Sequence, residues 1–562
     1  MAKVLIIGSG ISGMTCAVRC AQHGLHVLLV SPDFSERSQS VMAAGGINAV
    51  TQNHEEGDSV SCHIEDTLKG GSWLGGKKAV QNMCSHAEKI ILYLEEIGTV
   101  FSVDERERLL VRAFGGQSYK RTHYCGSSTG KQIVSALIME VRRYEAAGLI
   151  ERRIRHFFHS ALIKEGTCYG ALLFDECSQK LVSEFADAVV MAVGGQNALF
   201  GKTTGTTQND GYAVGKLFQQ GAVLKNLEFI QFHPTTLETA QKRMLISEAV
   251  RGEGGRLFYL DNGKRVYFME EKYGPNGNLM TRDVVSREIE SVEKEVFLDI
   301  SFLDKKQIDE RLPEVRDLCR KYGRIDISKE PIPVAPSVHF FMGGLAVHLN
   351  HETSIRNLYA VGECASMYHG ANRLGGNSLL AALYSGNAAA VDISGKRTSG
   401  GRDGKPNCSG KRTSGGRDDI PDFSEDIMRE QERFAGLLSS NSPFSVMHIR
   451  DMLAKTMRSY MGISRTEDLL KQGMDDVDDY LSVAARTHYD SSASIYTNYA
   501  LSGILTLARG ALTCALERRE SRGAHYRSDY PESADEYAFA SLISYENGAW
   551  RVWLDREGTF ES

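Results

Sequence analysis

No cysteine pair in this 562-residue chain has the C-x-x-C spacing, although 11 cysteines are present. Scattered thiols of this kind indicate a reducing compartment, and no metal site built from the chain's own cysteines is expected. No window approaches about 18 uncharged apolar residues, the length needed to cross a bilayer, so no membrane span is expected. The first apolar run begins at Val4, which leaves no room for a secretory leader ahead of it. Net charge is only −6, from 65 basic and 71 acidic residues. The basic excess that marks nucleic-acid binding is missing, and no nucleic-acid partner is expected. What remains is 42% hydrophobic and 24% charged, ordinary for a water-soluble globular chain. The length allows two to four domains at roughly 150 residues each.

The most informative stretch is the first thirty residues. Val4-Leu5-Ile6-Ile7 reads as a buried strand. Gly8-Ser9-Gly10-Ile11-Ser12-Gly13 follows at once, then a helix from Met14 to His23, and a second strand at Val27-Leu28-Leu29-Val30. This is G-x-G-x-x-G inside a βαβ unit, with one glycine each for the tight turn, the approach of backbone to pyrophosphate and helix–strand packing. The helix N-terminus offers free N–H groups to the phosphates. Alone the motif is weak; the flanking strands and helix make it a dinucleotide site. The second strand ends at Ser31, without the acidic residue that usually holds the ribose hydroxyls. That weakens an NAD reading and leaves FAD open.

Further on, Ser38 to Asn48 is rich in small residues, where a flavin ring would thread past the sheet. Residues 60–98 read as helix interrupted by Gly70-Gly71 and Gly75-Gly76, and a long helix is expected from Thr129 to Ala147. A buried strand closes at Val193-Gly194-Gly195, a second close approach of backbone to a dinucleotide. Residues 234–338 mix short strands and helices and read as an insertion, because the flavin-site pattern resumes at His339. Asn377-Ser378 caps a helix. Residues 394–403 (SGKRTSGGRD) recur unchanged at 409–418 and read as a solvated linker. Residues 421–532 have apolar positions at helical spacing, and 533–562 form a strand-like tail.

The segments GSGISG, AAGGINA, LEFIQFHPT, SEAVRGEGG, TRDVVSREI, HFFMGG, AVGE, HGANRLGGNSLL and ESRGAHYRSDYP occur in this order along nearly the whole chain. In them the chain resembles the flavoprotein subunits of fumarate reductase and succinate dehydrogenase, and L-aspartate oxidase, which shares their fold. The resemblance implies an α/β protein: a Rossmann-type FAD-binding domain (1–233 and 339–393), an inserted α+β capping domain (234–338), the duplicated linker (394–420) and a C-terminal helical domain (421–532). It implies fumarate–succinate interconversion, a step of anaerobic respiration or electron transport, by hydride transfer at flavin N5. A C4-dicarboxylate needs cations or strong donors at both ends, and a general acid must face the flavin across the substrate. By resemblance that acid is Arg282, with Glu248 and Arg251 as its proton relay. His233, Ser247, His339 and Arg373 match carboxylate-binding positions, and Ser247 keeps the hydroxyl of the family's usual threonine. The cofactor positions are Gly8, Gly10, Ile11, Ser12, Gly13, Ser31, Ser38, Gln39, Ser40, Ala44, Gly45, Gly46, Asp210, Glu363, Arg373, Ser378 and Leu379. An iron–sulfur protein is the implied electron partner. The membrane is reached only through partners, for a chain in the cytoplasm or peripheral on the cytoplasmic face.

Two departures matter. Gln39 stands where the membrane-bound enzymes usually carry the histidine that bonds covalently to the flavin, so FAD is expected to be held non-covalently. Covalent attachment tends to raise flavin potential, and its absence favours fumarate reduction. Phe114 stands where L-aspartate oxidases carry a glutamate that meets the substrate ammonium; without it that cation lacks a counter-charge. Against this, residues 296–301 (VFLDIS) and 331–336 (PIPVAP) fit the oxidases, so L-aspartate oxidation to iminoaspartate stays the alternative.

Overall fold

The computed structural model describes residues 3–126, 128–240, 242–398, 420–439, 442–486 and 489–561. Its centre is a five-stranded parallel sheet in the order Leu358–Ala360, Ala188–Met191, Lys3–Ile7, His26–Ser31, Ile150–Ile154. These strands are short apolar runs buried on both faces, as a parallel sheet requires; Val4, Leu5 and Ile6 are fully buried. Helix Ile11–Gln22 lies against helix Asn377–Thr398. A side chain at Gly386 would stand 2.5 Å from the Ser12 carbonyl, so glycine is what permits this contact. A three-stranded antiparallel meander, His156–Lys164, Thr167–Asp175 and Lys180–Phe185, adjoins the sheet.

A second sheet has six strands, in the order Arg243–Leu245, Ile230–Glu238, Ile332–Phe341, Val296–Asp299, Arg256–Asp261, Lys264–Val266. It covers its own apolar core, including Ile246, Leu257, Val285 and Leu298. The strands that enter and leave this region, Ile230–Glu238 and Ile332–Phe341, pair with each other. Their register shifts between Gln231 and Phe232 and again between His233 and Thr236, and such bulges re-aim side chains. His233 and His339 therefore lie on two paired strands at the base of the insertion.

Among the described residues, four helices follow the duplicated segment: Ser424–Leu438, Val446–Tyr460, Glu467–Ala484 and Ile495–Glu517. By length and composition Ile495–Glu517 passes as a membrane-spanning helix, yet 72% of its apolar window is buried inside the molecule, as in the core helix of a globular domain. The tail, Ser541–Glu546 and Ala549–Leu554, pairs back onto Leu224–Lys225 in another sheet. One correction concerns the linker. Helix Asn377–Thr398 runs five residues into it, because Ser394 Oγ donates to the Ala390 carbonyl at 2.7 Å and Lys396 reaches Glu352 at 2.8 Å. The rest of the first repeat and all of the second lie outside the described residues. The mixed α/β architecture is the one expected.

Candidate active site

A cavity of about 480 Å³ runs from the first βαβ turn to the base of the insertion. Its volume is in the range of small-molecule and cofactor sites. Of the expected cofactor positions, Gly8, Gly10, Ser12, Ser31, Ser38, Gln39, Ser40, Ala44, Gly45, Gly46, Asp210, Glu363, Arg373, Ser378 and Leu379 line it. Ile11 and Gly13 do not. The Ile11 side chain is in the core, and its N–H donates to Ser40 Oγ at 3.2 Å. A side chain at Gly13 would meet the Gly8 carbonyl at 2.0 Å, so Gly13 serves helix–strand packing. Gly8 has φ +111, and a side chain there would stand 2.2 Å from the Ala192 carbonyl.

The residues present fit a dinucleotide. Helix Ile11–Gln22 has no capping side chain at Gly10, and Gly10 and Ser12 at its start line the cavity. Ser38 Oγ and Asn209 Nδ2 are buried without a hydrogen-bond partner, which a buried polar atom seldom tolerates unless a ligand fills the gap. Gln39 Oε1 accepts from the Thr206 N–H at 2.8 Å. Asp210 is held by Arg450 at 3.2 Å and by the Tyr496 hydroxyl at 2.9 Å, both on the C-terminal helices. Glu363 accepts from the Phe341 N–H at 3.1 Å; burial pushes its carboxyl up to about 7 against that hydrogen bond and the pull of Arg373. Phe157, Asn209 and Tyr496 also line the cavity and escaped the sequence reading. Gly194, on the turn after strand Ala188–Met191, was marked there by its glycine pair.

The other end of the cavity is lined by Phe114, His233, Ser247, Glu248, Arg282, His339 and Arg373. The His233 and His339 rings meet edge to face at 5.2 Å. Thr204 Oγ1 lies 2.8 Å from His339 Nδ1. Ser247 Oγ accepts from the Ala249 N–H at 3.3 Å. Arg282 Nε and Nη2 donate to Glu248 Oε2 at 2.9 and 2.7 Å, and the Gly115 N–H donates to Glu248 Oε1 at 2.9 Å. Gln231 Oε1 accepts from both Arg282 Nη1 (3.1 Å) and Arg373 Nη2 (2.9 Å) and so spaces the two guanidinium groups. Arg251 does not line the cavity. It stands behind Glu248 at 3.3 Å, with Nη1 donating to the Asn278 carbonyl at 2.6 Å. Gln231 and Thr204 were missed by sequence reasoning, and no local signal marks them.

The electrostatics of this corner are one-sided. Arg251, Arg282 and Arg373 face one hydrogen-bonded carboxylate, Glu248. Burial alone would push the Glu248 carboxyl up, but Arg282 and Arg251 override it and hold it down at about 2. Burial, then the charge of Arg282, pushes both His233 and His339 well below the usual imidazole range, so the rings are neutral. Burial also pushes Arg373 down, with Arg282 second. Arg373 Nε and Arg251 Nε and Nη2 have no hydrogen-bond partner. A buried cation short of partners is costly, and a dianion in the cavity would relieve Arg373, which lines it.

Two family models match the chain: one described as FAD binding domain over residues 3–379, and one described as fumarate reductase flavoprotein C-term over residues 450–557. The chain is 35% identical to a succinate dehydrogenase flavoprotein subunit of Bacillus subtilis, covering 95% of this chain and 92% of that one. It is 32% identical to a fumarate reductase (CoM/CoB) chain of Methanothermobacter marburgensis, covering 96% of each. A solved chain of E. coli quinol fumarate reductase superposes with a TM-score of 0.86 at 28% identity, covering 99% of this chain and 97% of that one. Adenylylsulfate reductase of Archaeoglobus fulgidus shares the fold, at a TM-score of 0.78 and 18% identity, covering 100% of this chain and 96% of that one.

Proposed function

The chain belongs to the family of FAD-dependent succinate dehydrogenase and fumarate reductase flavoprotein subunits, an oxidoreductase family, and from that premise we propose that it interconverts fumarate and succinate with a bias toward fumarate reduction. One observation carries this reading: a buried corner holding three guanidinium groups, two neutral imidazoles and a single hydrogen-bonded carboxylate. That arrangement suits a small dicarboxylate. FAD, when bound, exchanges a hydride with one alkene carbon. Arg282 exchanges the proton at the other carbon. Its contact with Glu248, backed by Arg251, is the route by which that proton is replaced. His233, Ser247, His339 and Arg373 hold the carboxylates and exclude water from them. The inserted region, 234–338, caps the substrate.

Phe114 speaks against L-aspartate as substrate. Its ring stands 3.0 Å from where a side chain on Gly45 would begin, an apolar wall that gives an ammonium no counter-charge. Gln39 has no nucleophilic nitrogen to bond to a flavin, so FAD is held non-covalently; acid precipitation should leave all flavin in the supernatant, and flavin in the pellet contradicts this. Electrons arrive through an iron–sulfur protein partner, which keeps this chain peripheral to the membrane's cytoplasmic face. The deciding experiment is a paired assay on FAD-loaded protein: fumarate with reduced viologen, and L-aspartate with oxygen. Fumarate turnover without aspartate turnover is expected; the reverse result would replace this reading with L-aspartate oxidation.

A further inference from the structure

Arg282 and Arg373 reach the cavity from different elements. Arg282 opens helix Arg282–Ser291, which packs on strand Ile230–Glu238. Arg373 lies just ahead of helix Asn377–Thr398, which packs on helix Ile11–Gln22. Their neighbours in sequence are bonded to each other: Asn372 Nδ2 donates to Asp283 Oδ1 at 2.7 Å. Asn372 is buried and Asp283 half-buried. An acid in the first turn of a helix ordinarily serves the helix dipole. That role asks for no partner outside the helix, and here one comes from 89 residues away in the chain.

The contact continues inward. Gln231 Nε2 donates to Asn372 Oδ1 at 2.8 Å and to the Arg373 carbonyl at 2.7 Å. Gln231 Oε1 accepts from Arg282 Nη1 and from Arg373 Nη2. The chemistry at the two ends fixes which way each amide points, because a carboxylate only accepts and a guanidinium only donates. Asn372 therefore turns Nδ2 to Asp283 and Oδ1 to Gln231, and Gln231 turns Oε1 to the two arginines. Flipping either amide would set donor against donor and acceptor against acceptor. The buried Gln231 amide uses both of its hydrogens and accepts twice, its full capacity. Neither Asp283 nor Asn372 lines the cavity, so both act on it through Gln231 and through the arginines beside them.

We propose that the Asp283–Asn372 contact is a clasp that sets the spacing of Arg282 and Arg373, and through it the length of dicarboxylate the site accepts. Asp283 and Asn372 are positioning residues. The Arg282–Glu248 pair lies wholly within residues 234–338 and does not hold Arg282 against Arg373; the clasp does. The proposal rests on the reading above in taking Arg373 as a carboxylate holder and Arg282 as the group at the reacting carbon. With that separation fixed, a four-carbon diacid meets both groups and a diacid one methylene longer does not. With the clasp open, the start of helix Arg282–Ser291 can draw back, and the two lengths become less distinct.

The test uses full-length, FAD-loaded protein titrated calorimetrically with succinate and with glutarate, which differ by one methylene. The parent should bind succinate more tightly. Asp283→Ala should weaken succinate by roughly tenfold, the loss expected when a hydrogen bond to a charged group is removed, and leave glutarate nearly unchanged, so that the preference narrows. It should also lower kcat for fumarate with reduced viologen by up to about 10²-fold, the cost of a misplaced catalytic group, with a smaller rise in KM. Asp283→Asn keeps an accepting oxygen and should restore both quantities. Asn372→Ala opens the clasp from the other side, should reproduce Asp283→Ala, and takes its place if that variant does not fold. An equal loss for both diacids, or a succinate preference and kcat equal to the parent's, overturns the proposal. A parent that binds neither diacid overturns the dicarboxylate reading together with it, so the two failures are distinguishable.

Discussion

Among the described residues, two buried arginine clusters differ in what neutralises them. Behind the cavity, Arg518 donates to Glu228 at 2.6 Å and to Glu520 at 2.9 Å, Arg522 shares Glu520, and Arg527 pairs with Asp529 at 2.7 Å. Arg465, in the same cluster, donates to the Glu228 carbonyl at 2.8 Å and to that of Gly462 at 2.9 Å. At the cavity, Arg282 and Arg373, with Arg251 behind them, have Glu248 alone in hydrogen-bonding or ion-pairing range among the described residues, and Gln231 serves only as a neutral spacer. Residue type and burial are the same in both places. The first cluster pairs Arg518, Arg522 and Arg527 with carboxylates, leaves only Arg465 on carbonyls with its Nη2 unpartnered, and joins the C-terminal helices to segment 224–229. The second leaves positive charge facing a cavity, and that imbalance, more than the presence of arginine, marks it as a place for an anion.

Substitutions that remove one arginine from each cluster break the comparison most sharply. The largest effect is expected at Arg282. If it carries the proton, Arg282→Lys lowers kcat by roughly 10²- to 10⁴-fold, the range of general acid catalysis, with FAD still bound; turnover near the parent's would remove Arg282 from the chemistry. Next come paired methionine variants compared by thermal or denaturant unfolding. Arg518→Met strands Glu228 and Glu520 and should cost about 3–5 kcal/mol, the cost of breaking a buried ion pair. Arg373→Met strands no carboxylate in hydrogen-bonding range and relieves like-charge repulsion with Arg282, so the ligand-free protein should lose far less or gain stability. Equal losses would mean that the two clusters are both structural.

A smaller effect concerns pH. His233 and His339 lie well below the ordinary imidazole value because of burial first and Arg282 second. The unfolded chain takes up protons at these positions as pH falls through about 6.5, and the folded chain does not, so the stability present above that pH is lost on acidification. A bound dicarboxylate raises both imidazoles and returns part of the loss, at most about 1.4 kcal/mol per ring per pH unit. The rise in Tm on adding succinate should therefore be larger at pH 6 than at pH 8. Glu248, held at about 2, stays ionised across that window and does not contribute. An equal rise at both pH values would mean that the bound dicarboxylate does not draw protons onto His233 and His339. The smallest effect is expected at Gln39: Gln39→His removes one hydrogen bond to the Thr206 N–H, costs about 1 kcal/mol, and offers a nitrogen for flavin attachment. Covalent flavin fluorescence on a denaturing gel checks that outcome.

The two ends of the cavity were not equally legible in the sequence. The dinucleotide end is built from backbone, and backbone constraints leave short-range marks. Gly8 needs its positive φ, Gly13 its missing side chain, and both needs appear as spacing within six residues. The charged end is built from side chains far apart in the chain: His233 and His339 on the paired strands Ile230–Glu238 and Ile332–Phe341, Arg282 at the start of helix Arg282–Ser291, and Arg373 just ahead of helix Asn377–Thr398. No periodicity joins positions so far apart, so only resemblance to a family could collect them. Gln231 and Thr204 shape that corner and carried no such mark. Helix Ile495–Glu517 was legible as a helix, but its composition fits a bilayer as well as a core, and its burial decides.

The most direct test is a calorimetric titration of oxidised, FAD-loaded protein with succinate, run on the parent, Arg373→Met and Arg465→Met. The account predicts one site in the parent, an affinity at least roughly tenfold weaker in Arg373→Met as a charge-assisted contact is lost, and parent-like affinity in a folded Arg465→Met. No binding to the parent, or equal affinity in the parent and Arg373→Met, would contradict the claim that the unbalanced charge of this corner is a dicarboxylate site.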